Sequence, residues 1–125
     1  MSTGMLSKFF SRSEMQCRCG CGKCNMDKSF LWKLDLARDL ANTPFNITSG
    51  VRCQRHNKEV GSTSRNHVEG HAADISATSG PVRGKILKGL YKAGFTRVGI
   101  HDTFIHVDDM DLVEVVGFIR GELWN

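Results

Sequence analysis

Hydrophobic residues recur with a helical period in two segments of the chain. The first runs from Lys28 to Ala41, directly after Asp27, whose side chain is a good N-cap for a helix. The second begins at Gly80–Pro81, where proline suits a first helical turn, and reaches Gly94, a typical helix stop. The pattern therefore predicts two amphipathic helices that pack on a core.

Other segments alternate apolar and polar residues with the period of a β-strand. The predicted strands are Phe45–Ser49, Asp74–Ala77, Phe95–Ile100 and Phe104–Asp108. The last two form a hairpin through residues 101–103. A short helix is predicted over Arg55–Val60, and Leu112–Ile119 is predicted as a further strand or a covering segment. The pattern predicts an α+β fold, with a small, mainly antiparallel sheet that carries polar side chains on one face and helices on the other.

The length and composition predict a single domain. With 125 residues, of which 40% are hydrophobic, residues 1–125 can bury one sizeable core. We expect residues 1–26, which contain most of the cysteines, to pack on this domain, and we expect a monomer.

Charge and hydropathy exclude several classes of protein. A net charge of +4, spread along the chain, is too small to require a nucleic-acid partner but favours an anionic surface. The first residues lack the apolar core of a signal peptide, and no run approaches the ~20 apolar residues of a membrane helix. We therefore expect a protein made in the cytoplasm and not inserted into a membrane.

Three residues have the chemistry and spacing of a catalytic zinc site. His67 is followed seven residues later by Asp74, and His106 lies on a separate predicted strand. Gly70 permits a tight turn between the first two residues. A lone histidine is usually not a ligand, but two imidazoles and a carboxylate would leave a fourth tetrahedral position open, which is typical of catalysis.

The residues around these ligands resemble a known family. The motifs His67-x-x-Gly70-x-Ala72-x-Asp74 and His106-x-Asp108 are similar to those of the D-alanyl-D-alanine carboxypeptidase and hedgehog-like zinc peptidases, especially short phage and bacterial cell-wall peptidases. The similarity covers most of the chain and extends to three other stretches. These are Ile47–Arg52, Asn57–Gly61 and Val98–Ile100.

The resemblance implies a peptidase with one catalytic zinc ion, held by His67, Asp74 and His106. Its expected substrate is the stem peptide or cross-link of bacterial peptidoglycan, cut either at terminal D-alanine or within the peptide, as an endolysin of a bacteriophage would do. Without a signal peptide, the enzyme would reach the cell wall, in the periplasm or outside the cell, only after release or delivery.

The same resemblance suggests roles for other polar residues. Arg52 would point into the cleft and bind a substrate carboxylate or a developing oxyanion. His71 is a candidate for the substrate-binding wall of the cleft, whereas His56 is expected to be an ordinary surface or hydrogen-bonded residue.

The general base is less well defined by the sequence. Asp102 precedes His106 by four residues, which is ~13 Å along a regular strand, so it reaches the site only through a bulge or turn. Asp108 is the second candidate, but it could instead orient His106, the commoner role for such a carboxylate. Glu69 is a weaker third candidate.

The cysteines form a second group with several interpretations. Cys17, Cys19, Cys21 and Cys24 lie within eight residues, but only Cys21 and Cys24 have the Cys-x-x-Cys spacing of a zinc knuckle. We interpret them as reduced residues in turns. A structural zinc ion is an alternative, as is a disulfide to Cys53, which a reducing cytoplasm disfavours.

Two other functions fit parts of the sequence. A wall-binding or virion structural module could retain the zinc ion without catalysis. A nucleic-acid-binding zinc protein could be built on the cysteines, but no basic stripe interleaved with aromatic residues supports it.

Overall fold

The predicted α+β fold is confirmed in the computed structural model, which describes residues 4–111. The helices are α1 (Arg12–Met15), α2 (Lys28–Ala41), α3 (Gln54–Glu59) and α4 (Gly80–Lys92). The strands are β1 (Ile47–Ser49), β2 (Ala72–Ser76), β3 (Arg97–Ile100) and β4 (Phe104–Asp108). The segment predicted over Leu112–Ile119 lies outside the described residues. Between residues 4 and 111, no helix is long and apolar enough to cross a membrane.

Local signals set the ends of the helices. The Asp27 side chain accepts a hydrogen bond from the Phe30 backbone and begins α2, as the sequence predicts. Helix α1 was not predicted, although Ser11 and Glu14 form a complete capping box at its start. Its single turn is too short to show a hydrophobic period.

The four strands in this part of the chain form one antiparallel sheet in the order β1-β2-β4-β3. The sequence predicted that β3 begins at Phe95, but it begins at Arg97, because the backbone N–H of Phe95 donates to the carbonyl of Leu90 at the end of α4. The register places Asp74 of β2 directly opposite His106 of β4. Since alternate residues of a strand share one face, this pairing puts both side chains on the same side of the sheet.

The other face of the sheet packs against helices α2 and α4. Ile75, Ile105 and Val107 are fully buried there, together with Phe30 and Leu90 from the helices. The prediction that Ile105 and Val107 face the core is therefore confirmed.

The N-terminal segment also contributes to this core and to the sheet edge. Phe10 and Met15 are completely buried. The Val51 backbone N–H donates to the carbonyl of Met15 at 2.8 Å. A Cβ on Gly50 would lie 2.6 Å from the same oxygen, so only glycine allows the two segments to approach this closely.

The close packing of α2 and α4 gives a test with a matched control on one helix. A Cβ added to Gly89 would lie 2.5 Å from the Cβ of Ala41, whereas Gly84 has open space around it. Gly84→Ala should raise the free energy of unfolding by about 0.5–1 kcal/mol, because alanine favours the helix. Gly89→Ala should lower it by about 1–3 kcal/mol, because the helices must separate.

Urea denaturation of both variants measures these free energies. Equal effects of the two substitutions would contradict the packing described for Gly89.

Candidate metal centre

Three side chains from separate parts of the fold meet on the open face of the sheet. His67 comes from the turn before β2, Asp74 from β2 and His106 from β4. His67 Nε2 lies 3.4 Å from Asp74 Oδ1, and His106 Nδ1 lies 2.9 Å from the same oxygen. One ligand atom from each residue lies within 4.8 Å of the others, so the three could hold one metal ion.

The remaining nitrogen of His67 is fixed by the backbone. His67 Nδ1 donates a hydrogen bond of 2.7 Å to the carbonyl oxygen of Gly50. Because a carbonyl only accepts hydrogen bonds, Nδ1 carries a proton, and Nε2 is the nitrogen that faces Asp74. The turn that delivers His67 requires Gly70, which has φ +77°, and a side chain there would collide with the backbone of Asn25.

The remaining nitrogen of His106 is held by Asp108. The distance from His106 Nε2 to Asp108 Oδ2 is 2.7 Å, and this leaves Nδ1 directed at Asp74. Asp108 is only 2% exposed and also accepts hydrogen bonds from Asn66, Arg97 and the Met110 backbone. Both of its oxygens are thus occupied, as expected for a residue that orients a metal-bound imidazole.

Arg52 is fixed beside the same cluster. Its Nη2 lies 3.4 Å from Asp74 Oδ2, while Nε donates to Ser49 Oγ at 3.1 Å and Nη1 donates to Asn57 Oδ1 at 3.1 Å. The Arg52 side chain is only 14% exposed. The guanidinium group is therefore held in one orientation at the edge of the cluster.

The charges of the cluster suit a cation. Burial alone would raise the pKa of Asp74, but hydrogen bonds from His106 and His67 outweigh it and hold the pKa well below its usual range. Burial likewise opposes charging of His106, but hydrogen bonds to Asp108 and Asp74 raise its pKa to about 9. Asp74 and Asp108 are therefore ionised at neutral pH and favour a positive charge at His106, which a metal ion could supply in place of a proton.

These observations meet the requirements of a zinc site. Zinc prefers imidazole nitrogen and carboxylate oxygen among its ligands, and catalytic sites typically supply three such groups. Here the three converge, and each imidazole has its other nitrogen hydrogen-bonded to an oxygen, the usual support of a metal-bound histidine.

The cluster opens into a cleft of about 490 Å³. Its lining includes Arg52, the three candidate ligands and residues of the turn after α3. A second cavity of about 530 Å³ lies along β3 and shares Ser64, Asn66 and His106 with the first. The two cavities therefore adjoin at these three residues.

The turn between β3 and β4, residues 101–103, places His101 in the lining of the cleft, a position for which no role was predicted. The predicted base, Asp102, is exposed in this turn, and its carbonyl accepts a hydrogen bond from Arg83. In the described part of the chain, the residue of this turn that lines the cleft is His101, stacked 4.3 Å from the ring of Phe104. The assignment of Asp102 as the base remains a prediction.

His71, predicted to bind substrate, and Glu69, the third candidate for the base, are not among the residues that line the two cavities. His71 Nδ1 donates to Asp109 Oδ1 at 2.7 Å, and this hydrogen bond raises the pKa of His71. Asp27, the N-cap of α2, lies 4.0 Å from the other ring nitrogen. His71 therefore links the N-cap of α2 to the residue after β4, and its part in substrate binding remains a prediction. Glu69 is partly exposed and pairs with Arg65.

Two asparagines that were given no role in the prediction also support the site. Asn66 directly precedes His67 and binds Asp108, whereas Asn57 orients Arg52. The proximity of Asn66 to His67 in the sequence was the one available signal, because an amide residue next to a ligand often supports the site.

Comparison with known proteins agrees with this geometry. A family model described as Peptidase M15 matches residues 8–108, a span that includes all three candidate ligands. No curated protein and no solved structure matches the chain significantly.

Proposed function

The chain belongs to the peptidase M15 family of metallopeptidases, and on that basis we propose that it is a zinc-dependent hydrolase of the peptide bonds in bacterial peptidoglycan. The observation that carries the proposal is the convergence of His67 Nε2, Asp74 Oδ1 and His106 Nδ1, with the second nitrogen of each ring already hydrogen-bonded. This arrangement leaves three ligand atoms available to a single ion, as expected of a catalytic zinc site.

The chemistry divides between the ion and the protein. His67, Asp74 and His106 would hold the zinc ion, which would supply the Lewis acidity that peptide hydrolysis by water needs near neutral pH. The protein holds the ligands in place, binds the substrate and moves the protons.

Arg52 is proposed to bind the oxygen that becomes negative during hydrolysis, or a carboxylate of the substrate. It lines the cleft next to Asp74, and its hydrogen bonds to Ser49 and Asn57 fix the guanidinium group. A donor fixed in advance stabilises developing charge without reorganisation during the reaction.

Asp102 and Asp108 were predicted as the first two candidates for the general base, ahead of Glu69, and their surroundings differ. Asp108 is saturated with hydrogen bonds and is proposed to position His106. Asp102 has an exposed side chain in the β3–β4 turn, next to His101, which lines the cleft. We propose that this turn supplies the base, and Asp102, the carboxylate of the turn, remains our assignment.

The shape of the two cavities favours cleavage within a peptide. His106 lines both of the adjoining cavities, so residues on both sides of a scissile bond could be accommodated next to it. Arg52 lines one cavity and Arg97 lines the other. Their guanidinium groups suit the carboxylates of peptidoglycan stem peptides. Removal of a terminal D-alanine is the alternative reaction. An enzyme of this type would act at the cell wall after release or delivery, as a phage lysin does.

Digestion of purified peptidoglycan tests this function. We expect the zinc-loaded protein to release peptides, each cleaved bond having gained one water, and we expect a chelator to stop the reaction until zinc is restored. Mass spectrometry of the products identifies the bond, because endopeptidase action separates peptides whereas carboxypeptidase action releases free D-alanine.

The variant Arg52→Met tests the role of Arg52 in the same experiment, because it removes the guanidinium group but leaves all three ligands. It should retain zinc and lose most of the activity. A zinc-loaded wild-type protein that binds the wall without cutting it would instead support the non-catalytic module.

A further inference from the structure

We propose that Cys17, Cys19, Cys21 and Cys53 bind a second, structural zinc ion. These four side chains offer sulfur atoms that all lie within 4.8 Å of one another. Three of them come from the N-terminal segment, and the fourth is the N-cap residue of α3. The site is separate from the His67 cluster and does not depend on the proposed peptidase activity.

The distances between the sulfur atoms fit a metal site. Cys17 Sγ lies 3.4 Å from Cys19 Sγ, and Cys19 Sγ lies 3.7 Å from Cys53 Sγ. Two sulfurs bound tetrahedrally to zinc at ~2.3 Å are separated by about 3.8 Å, whereas a disulfide requires about 2.05 Å. All five cysteines lie in the described part of the chain and none is bridged.

The local backbone is shaped to bring these thiols together. Gly20 and Gly22 have φ angles of +87° and +84°, which reverse the chain after Cys19 and again after Cys21. The backbone N–H of Cys17 donates to the carbonyl of Lys23 at 2.9 Å and closes the loop. A compact loop of this kind directs its alternate side chains to one point.

The surroundings of the sulfurs are those of bound thiolates. The backbone N–H of Cys53 donates to Cys17 Sγ at 3.3 Å, and that of His56 donates to Cys53 Sγ at 3.4 Å. Such donors offset the negative charge that four thiolates bring to a divalent cation.

The geometry also explains why the sequence spacing was misleading. Cys21 and Cys24 have the spacing of a zinc knuckle, but Cys24 lies outside the group and its thiol approaches the carbonyl of Arg12 at 3.9 Å. The fourth ligand is instead Cys53, which follows Arg52 directly. A metal there would fasten the N-terminal segment to the loop that carries Arg52 into the cleft.

Zinc content and cobalt spectroscopy of the full chain, purified with a phosphine reductant, test this site. Wild-type protein should hold two zinc ions. Cys53→Ser should hold one, while serine preserves the N-cap of α3. The matched control Cys24→Ser should hold two. His67→Ala should also hold one ion and, after replacement by cobalt, should keep the sulfur-to-cobalt charge-transfer absorption.

Either of two results would overturn the proposal. The first is a zinc content that Cys53→Ser does not change. The second is a cobalt-loaded wild-type protein that has no sulfur-to-cobalt absorption, a measurement that does not depend on the folding of any variant. Loss of peptidase activity alone would bear on the His67 cluster and not on this site.

Discussion

His67→Ala is expected to remove one equivalent of zinc from the protein and to reduce peptidoglycan hydrolysis by roughly 10³-fold or more, since a Lewis acid contributes several kcal/mol to such reactions. His67 is 5% exposed and its two ring nitrogens face Gly50 O and Asp74. Alanine supplies no ligand atom and leaves only two of the three protein ligands. Zinc content and the initial rate of peptide release measure the two effects.

The control for this substitution is His56→Ala, on α3. His56 is not part of the His67 cluster, and its side chain lies near Glu59 on the same helix. This variant should keep both its zinc content and its activity. A His67→Ala protein with undiminished zinc content would show that the metal is bound elsewhere.

Asp108→Asn is expected to weaken zinc binding at the His67 cluster by roughly 10–100-fold, the usual effect of removing a residue that orients a metal-bound histidine. The amide has one oxygen where the carboxylate has two. It would have to serve His106, Asn66, Arg97 and the Met110 backbone. We therefore also expect the free energy of unfolding to fall by about 1–3 kcal/mol.

The dependence of activity on zinc distinguishes the two roles considered for Asp108. If Asp108 positions His106, saturating zinc should restore most of the activity of Asp108→Asn. If Asp108 is the general base, the variant would remain inactive when fully loaded with zinc. Titration of the zinc-free protein, followed by rate measurements at saturating zinc, separates these outcomes.

Asp102→Asn is the matched control, since it makes the same chemical change at an exposed carboxylate in the adjacent turn. Zinc affinity and stability should be unaffected. The activity of the loaded variant then tests directly whether Asp102 accepts the proton.

Much of the fold could be predicted because the signals are local. The hydrophobic period and the Asp27 cap defined α2 from Lys28 to Ala41, as observed. Strand alternation placed Ile105 and Val107 in the core, and therefore His106 on the opposite face. Such inferences need only the geometry of one element.

Other features depend on contacts between distant segments and leave little trace in the sequence. The carbonyl of Gly50 that orients His67, and the position of Cys53 beside Cys17 and Cys19, arise when separate loops meet. Two of the hydrogen bonds to the Asp108 carboxylate likewise come from other segments. Asn66 lies in the turn before β2, and Arg97 lies in β3. Spacing within one segment cannot reveal these contacts.

The most direct test of the proposed metal centre is anomalous diffraction at the zinc absorption edge from crystals of the full chain. We expect a peak at about 2.0–2.2 Å from His67 Nε2, Asp74 Oδ1 and His106 Nδ1, the distances of zinc to nitrogen and oxygen ligands. A map from zinc-loaded crystals with no peak among these three atoms would contradict the assignment of the catalytic site.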